Sequence, residues 1–182
     1  MPHIQVSEFF FFFYFILTAL PDGSVDVVIA AQSFHWFTNR AALEEIHRVL
    51  TSNGSLGMVW SLTDIFVPWL KDVLKFVDLL NRDIGLVLPY QDEWKKVFSG
   101  VSQHLFSTPE ECVGSEYSVK SSFAHAFNFF SSYSPIASGG ERVKKDFVKV
   151  FNEVTNKHFK DKGITLDAIQ FKLYMYWCNK EN

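Results

Sequence analysis

The segment Ala31-Gln32-Ser33-Phe34-His35-Trp36-Phe37 is where this sequence concentrates side chains able to handle a ligand. His35 is its one proton-handling group, and an imidazole titrating near its ordinary value could serve as a general base. A structural hydrogen-bonding role is the preferred reading for a histidine set among aromatics. For Gln32, contact with a ligand and a plain loop role are both open. Phe34, Trp36 and Phe37 could line an apolar pocket, although aromatic clusters more often pack a core. Trp60, further along, has the same two possibilities, with packing preferred.

No second chemistry can be assembled. His104, His125 and His158 show no metal-ligand spacing, and no Ser-His-Asp arrangement can be proposed. Cys112 and Cys178 are the only two cysteines and have no CxxC partner. That argues against a disulfide scaffold or a zinc site and suits a reducing compartment, so a cytoplasmic location is expected. A net charge of −3, with acids and bases mixed along the chain, gives no footprint for nucleic acid.

The elements around the aromatic-His cluster follow from pattern. Pro21-Asp22-Gly23-Ser24 is a turn, and Val25–Ala31 is a continuous β-branched run, expected to be a strand buried on both faces. Asn39 can cap a helix reaching Leu50, with Ala42, Leu43, Ile46 and Val49 at helical spacing. Ser52-Asn53-Gly54 is expected to end it in a left-handed turn. Ser55–Trp60 is a second apolar strand, completing a βαβ unit. Within the helix, Glu44 and Arg48 are placed to form a surface ion pair.

Downstream, the spacing predicts helices over 67–81, 92–98, 123–133 and 141–162, a loop over 134–140, and short strands over 103–107 and 115–120. Ile169, Phe171, Leu173, Met175 and Trp177 alternate with other residues, which makes 168–178 a strand with one apolar face. No repeat or linker interrupts residues 20–182, which read as one folding unit. The full chain of 182 residues is long enough for one domain with a real core.

Residues 9–20 are apolar apart from Thr18. As a helix this run spans roughly 18 Å, against a hydrocarbon core of roughly 30 Å. No Lys or Arg precedes it and no Ala-x-Ala follows it, against a signal peptide. Phe, Tyr, Ile and Leu share pyrimidine-rich codons, and such a tract precedes many splice acceptor sites. Residues 1–19 are therefore expected to be a non-homologous start, of the kind a translated intron would give.

The stretch LPDGSVDVVIAAQSFHWFTNRAALEEIHRVLTSNGSLGMVW resembles the fourth strand, following helix and fifth strand of class I S-adenosylmethionine-dependent methyltransferases. It is similar to the type 11 group that includes trans-aconitate methyltransferase. The resemblance continues more weakly through LPYQDEWKKVF, SSYSPIAS and IQFKLYMYWCNK. It implies an incomplete Rossmann-like α/β sheet, strands 4 to 7 of the family, with flanking helices and residues 168–178 antiparallel beside Ser55–Trp60. It implies S-adenosylmethionine as cofactor, contacted by Ala31, Gln32 and Ser33, and a small-molecule acceptor, a carboxylate in the nearest named relatives. Phe34, His35, Trp36 and Trp60 fall beside the implied acceptor pocket.

The family's glycine loop is missing, because no GxGxG occurs anywhere in the sequence. The expected reading is the C-terminal part of a methyltransferase, with cofactor binding by this chain itself not expected. The alternative is a non-catalytic remnant or partner-binding protein.

Overall fold

A computed structural model of the protein describes residues 18–83, 93–100, 104–112 and 114–181. The expected non-homologous start, residues 1–19, lies outside the described residues apart from Thr18 and Ala19.

The sheet begins where the β-branched run predicts. Strand β1 (Val25–Ala31) pairs in parallel with β2 (Leu50–Thr63), which pairs antiparallel with β5 (Ala168–Asn179). The far edge of β5 carries two short antiparallel partners, β3 (Glu110–Cys112) and β4 (Glu116–Lys120). The order is β1-β2-β5-β3, an open mixed sheet of the Rossmann-like α/β class. The antiparallel placement of 168–178 beside the second strand is as expected.

Helix α1 (Arg40–Val49) starts because the Asn39 side chain accepts a hydrogen bond from Ala42 N at 3.0 Å, filling an otherwise orphaned donor. It does not end as expected. Leu50 goes straight to extended backbone with ψ 139°, and no residue from 50 to 54 takes a positive φ. Ser52, Asn53 and Gly54 instead lie within β2. There the pairing jumps from Val25 with Leu50 to Val27 with Ser55, so the extra residues bulge out of the ladder. Gly54 is required because a Cβ there would meet Leu50 at 2.9 Å.

Strand alternation divides the core into two. On one face Leu56, Met58 and Trp60 of β2, with Tyr176 and Cys178 of β5, pack under α1 and the 3₁₀ turn Glu93–Phe98. On the other, Ile169 and Phe171 of β5 pack under α2 (Pro68–Asp83), α3 (Phe123–Ser131) and α5 (Gly140–His158). The result is three layers. Each fully buried large apolar side chain in them contributes about 2–3 kcal/mol.

Several expectations are corrected. Strand β1 is buried on one face only: Val28 and Ala30 turn inward, whereas Val27 and Ile29 are 52% and 68% exposed. No described element packs over them, and a run of β-branched residues does not say what covers its outer face. The segment 134–140 is not all loop, since Ser134–Ala137 forms a short helix, α4, with Pro135 in its first turn. The helix expected to reach residue 162 stops at His158. A 3₁₀ turn Lys160–Lys162 and Gly163, at φ 68°, follow it. Residue 103 is outside the described residues; within 104–107 Phe106 makes a single bridge to Lys180, and the strand falls instead at 110–112. Finally, Glu44 pairs with Arg40 at 2.6 Å. Arg48 turns the other way, to Glu45 at 2.8 Å and to Asp22.

Candidate functional site

The carboxyl ends of β1 and β2 open side by side, because the two strands are parallel neighbours. In doubly wound sheets this rim is where ligands bind. A cavity of about 300 Å³ lies here. Its floor is formed by Gln32, His35 and Trp36 after β1 and by Leu62 and Thr63 at the end of β2. Its walls come from α2, through Leu74, Val77, Asp78 and Asn81, and from the α3–α4 junction, through Ser132–Pro135.

Gln32 leaves β1 in a left-handed conformation, φ 54°, which is uncommon for a residue with a Cβ. Its backbone N–H still donates to Val59 O at 2.8 Å, continuing the ladder one residue past the strand. Its side-chain Nε2 donates to Ser61 O at 2.7 Å, tying the two strand ends together. Of the three residues expected at the cofactor, Gln32 lines the cavity, whereas Ala31, exposed, and Ser33, half-buried, are not among its lining residues.

Beyond them a short 3₁₀ turn, Phe34–Trp36, splits the aromatic cluster. Phe34 points into the core, 0% exposed, with Phe37 edge-on to it at 5.3 Å between centroids. Trp60 is likewise 0% exposed, packed on Trp94 and Tyr176. Phe34 and Trp60, expected beside the acceptor pocket, do not line the cavity; His35 and Trp36 do.

The surroundings of His35 hold it in the neutral form. Burial pushes its pKa down from 6.5 to about 4, so it is neutral at physiological pH. Trp60 Nε1 donates to His35 Nδ1 at 3.1 Å. An indole nitrogen can only donate, so Nδ1 carries no proton and the ring hydrogen sits on Nε2. The imidazole thus has a single free donor, Nε2–H, and no free lone pair in its plane.

The remaining cavity groups were not singled out from sequence. Tyr133 shares a hydrogen bond with Thr63, and burial raises its phenol to about 12, keeping it neutral. Thr63 and Asn81 are 4% and 3% exposed. The Asn81 Oδ1 is buried without a hydrogen-bond partner. One signal could have found Asn81. Leu70, Leu74, Val77 and Asn81 fall on one stripe of α2 by their spacing, so Asn81 is a polar residue at a core position. Asp78, one residue after Val77, had no such mark, and Tyr133 is placed only by the tertiary fold.

Outside the cavity, His47 Nε2 meets Glu181 O at 2.8 Å, and His158 Nε2 meets Asp72 Oδ2 at 2.8 Å. Both serve packing. Among the described residues no group of three or more metal-binding side chains comes together, and no helix is long and apolar enough to cross a membrane.

The sequence model of the methyltransferase domain family matches residues 15–58, the segment that contains β1, the Gln32 turn, α1 and the start of β2. An uncharacterised methyltransferase-like protein of Schizosaccharomyces pombe is 43% identical over 81 residues, 44% of this chain and 31% of that protein. An uncharacterised methyltransferase of Mycobacterium tuberculosis is 41% identical over 64 residues, 35% of this chain and 25% of that one. A methyltransferase-named protein of Dictyostelium discoideum is 26% identical over 181 residues, covering 89% of this chain and 62% of the relative. Matches to the first relatives thus span about a third of their length. A solved structure from Anaeromyxobacter dehalogenans, described as a type II methyltransferase, shares the fold at a TM-score of 0.51 and 20% identity, over 87% of this chain and 66% of that one. With a parallel β1–β2 pair and an antiparallel β5 the chain has the Rossmann-like fold of methyltransferases, and its strand–helix–strand segment, residues 15–58, is similar to the methyltransferase domain family.

Proposed function

We propose that this chain supplies the acceptor side of an S-adenosylmethionine-dependent methyl-transfer site acting on a small molecule. The observation that carries the reading is the cavity at the carboxyl ends of β1 and β2, shared by the Gln32 turn and α2. The fit to the cofactor is good at one end. Gln32 lines the cavity between Ala31 and Ser33, and the methionine part and the sulfonium would rest against this turn.

When bound, the cofactor brings a methyl group already activated on a positively charged sulfur. The chain's own part is positioning, for which methyl transfer needs no acid–base dyad. The Gln32 turn sets the rim, held to β2 through Ser61 O. His35 offers Nε2–H as a fixed donor, and Trp36, 40% exposed, presents an apolar flank. Tyr133 and Pro135 close the side facing α2 and limit water.

We take the setting to be cytoplasmic, on the two widely separated thiols, and the partner to be a small molecule rather than nucleic acid, on the charge of −3. A second reading, a non-catalytic partner-binding protein, draws support from the exposed Val27 and Ile29 on β1 and from the absence of a GxGxG motif.

Calorimetry with S-adenosylmethionine separates the two. A chimaera in which residues 20–182 follow a methyltransferase start carrying the glycine loop is expected to bind it, and residues 1–182 alone to give no measurable heat. A folded chimaera without binding favours the non-catalytic reading. Micromolar binding by the chain alone would place the cofactor's main contacts within these residues.

A further inference from the structure

The cavity is selective in its charge as well as its shape. Trp36, Leu62, Leu74, Val77 and Pro135 make much of it apolar. Its polar groups are almost all uncharged: the amides of Gln32 and Asn81, the hydroxyls of Thr63, Ser132 and Ser134, and the neutral His35 and Tyr133. Among the described lining residues the single carboxylate is Asp78, half-buried on α2. None of the described lining residues is Lys or Arg. The undescribed segments contain no Lys or Arg. Lys75 and Arg82 line a neighbouring groove on α2, which Asp78 also borders, and neither lines the cavity itself.

A carboxylate entering this space would give up water, meet Asp78 and find no counter-ion. Desolvation and like charge both disfavour it. The argument rests on the missing cation, whatever else Asp78 touches. Asn81, in the same wall, keeps its Oδ1 buried without a hydrogen-bond partner, an acceptor that a carboxylate could not satisfy.

We infer that the cavity receives an uncharged or cationic, largely apolar molecule whose hydroxyl or amine is the methyl acceptor, and that it rejects small carboxylic acids. This rests on the methyl-transfer reading above. In the transfer the acceptor's lone pair forms the new C–O or C–N bond. The methyl–sulfur bond breaks with its electron pair on sulfur, and the acceptor's proton passes to water at the cavity mouth.

The test uses the full chain and three probes of one skeleton: cinnamyl alcohol, cinnamylamine and cinnamate. Each is titrated while the amide and side-chain NMR signals of Asn81, Tyr133 and Trp36 are followed. The alcohol and the amine are expected to bind at least about tenfold tighter than cinnamate, a gap of one decade in Kd. Ser134→Lys places a cation on the exposed rim without touching the core and should reverse the preference toward cinnamate. Asp78→Asn should narrow the gap by tightening the binding of cinnamate, a gain that loss of fold would not produce. Equal or tighter binding of cinnamate by the unmodified chain, or no response at the cavity to any of the three, overturns the inference. No cofactor enters these titrations, so their failure is separate from failure of the chimaera to bind S-adenosylmethionine.

Discussion

Trp60 Nε1 donates to His35 Nδ1 at 3.1 Å, and this one bond decides which side of the imidazole can meet a ligand. It links a fully buried core residue to a cavity residue. The consequence is a histidine that donates through Nε2 and does not accept a proton in the physiological range.

The burial of this histidine has a pH signature. Burial lowers the folded pKa of His35 to about 4, below its ordinary 6.5, so the unfolded chain takes up the proton first as pH falls. This contribution to stability is complete above about pH 6.5 and is lost as pH falls toward about 4, by on the order of 3 kcal/mol. Trp60→Phe removes the donor and leaves Nδ1 free to take a proton. The His35 Hε1 resonance of that variant should titrate closer to the ordinary value, and the acid loss in urea unfolding should shrink. A His35 signal titrating near 6.5 in the unmodified protein would contradict this.

The same aromatic group should dominate stability. Trp94 is 0% exposed and packs on Phe34, Trp60, Phe98 and Tyr176. Trp94→Ala should cost about 3–5 kcal/mol, as truncation of a buried aromatic leaves a cavity that neighbours only partly fill. The measurement is the shift of the urea midpoint at unchanged slope. A loss under about 1 kcal/mol would mean that the 3₁₀ turn Glu93–Phe98 is not a fixed lid on the sheet.

Helices α2 and α5 are joined by one acid. Asp72 accepts hydrogen bonds from Lys75 at 2.7 Å and Lys157 at 2.9 Å, and its Oδ2 lies 2.8 Å from His158 Nε2. Lys75 chiefly, then Lys157 and His158, hold the carboxyl well below its usual range. With a depressed folded pKa, the stabilisation is present above the ordinary carboxyl value and is lost as pH falls below it. Asp72→Asn should lower stability by about 1–2 kcal/mol at neutral pH. A double-mutant cycle with His158→Gln should give a coupling of roughly 0.5–1 kcal/mol. A cycle that closes at zero would make the contact incidental.

The βαβ unit was legible in the sequence because each of its signals is local. Asn39 caps whatever helix follows it, and the alternation of 169–177 marks a strand without knowledge of its partner. The cavity was legible only in part. His35 and Trp36 could be placed on its rim from the strand end they follow. Thr63, Asp78 and Tyr133 reach it from three other elements, and no spacing in the chain encodes that meeting. The exposure of Val27 and Ile29 was hidden for the same reason, since β-branched residues record the strand and not its cover. Arg48 chose Glu45 and Asp22 over Glu44 because Leu20 and Thr18 bring the preceding turn against α1, a contact that helical spacing alone cannot foresee.

The Gln32 turn offers a final prediction, which separates backbone from side chain. At φ 54° a residue with a Cβ is strained by about 1 kcal/mol or more, and glycine is not. The Gln32 amide recovers part of this through its bond to Ser61 O, worth about 0.5–1.5 kcal/mol. Gln32→Gly should therefore leave stability unchanged to within about 1 kcal/mol, because relief of strain offsets the lost bond. Gln32→Ala keeps the strain and loses the bond, and should be the less stable of the two by about 1 kcal/mol. In the chimaera carrying the glycine loop, both variants should weaken S-adenosylmethionine binding several-fold if the amide itself meets the cofactor. Full affinity in Gln32→Gly with loss only in Gln32→Ala would show that the left-handed backbone, and not the amide, shapes the rim.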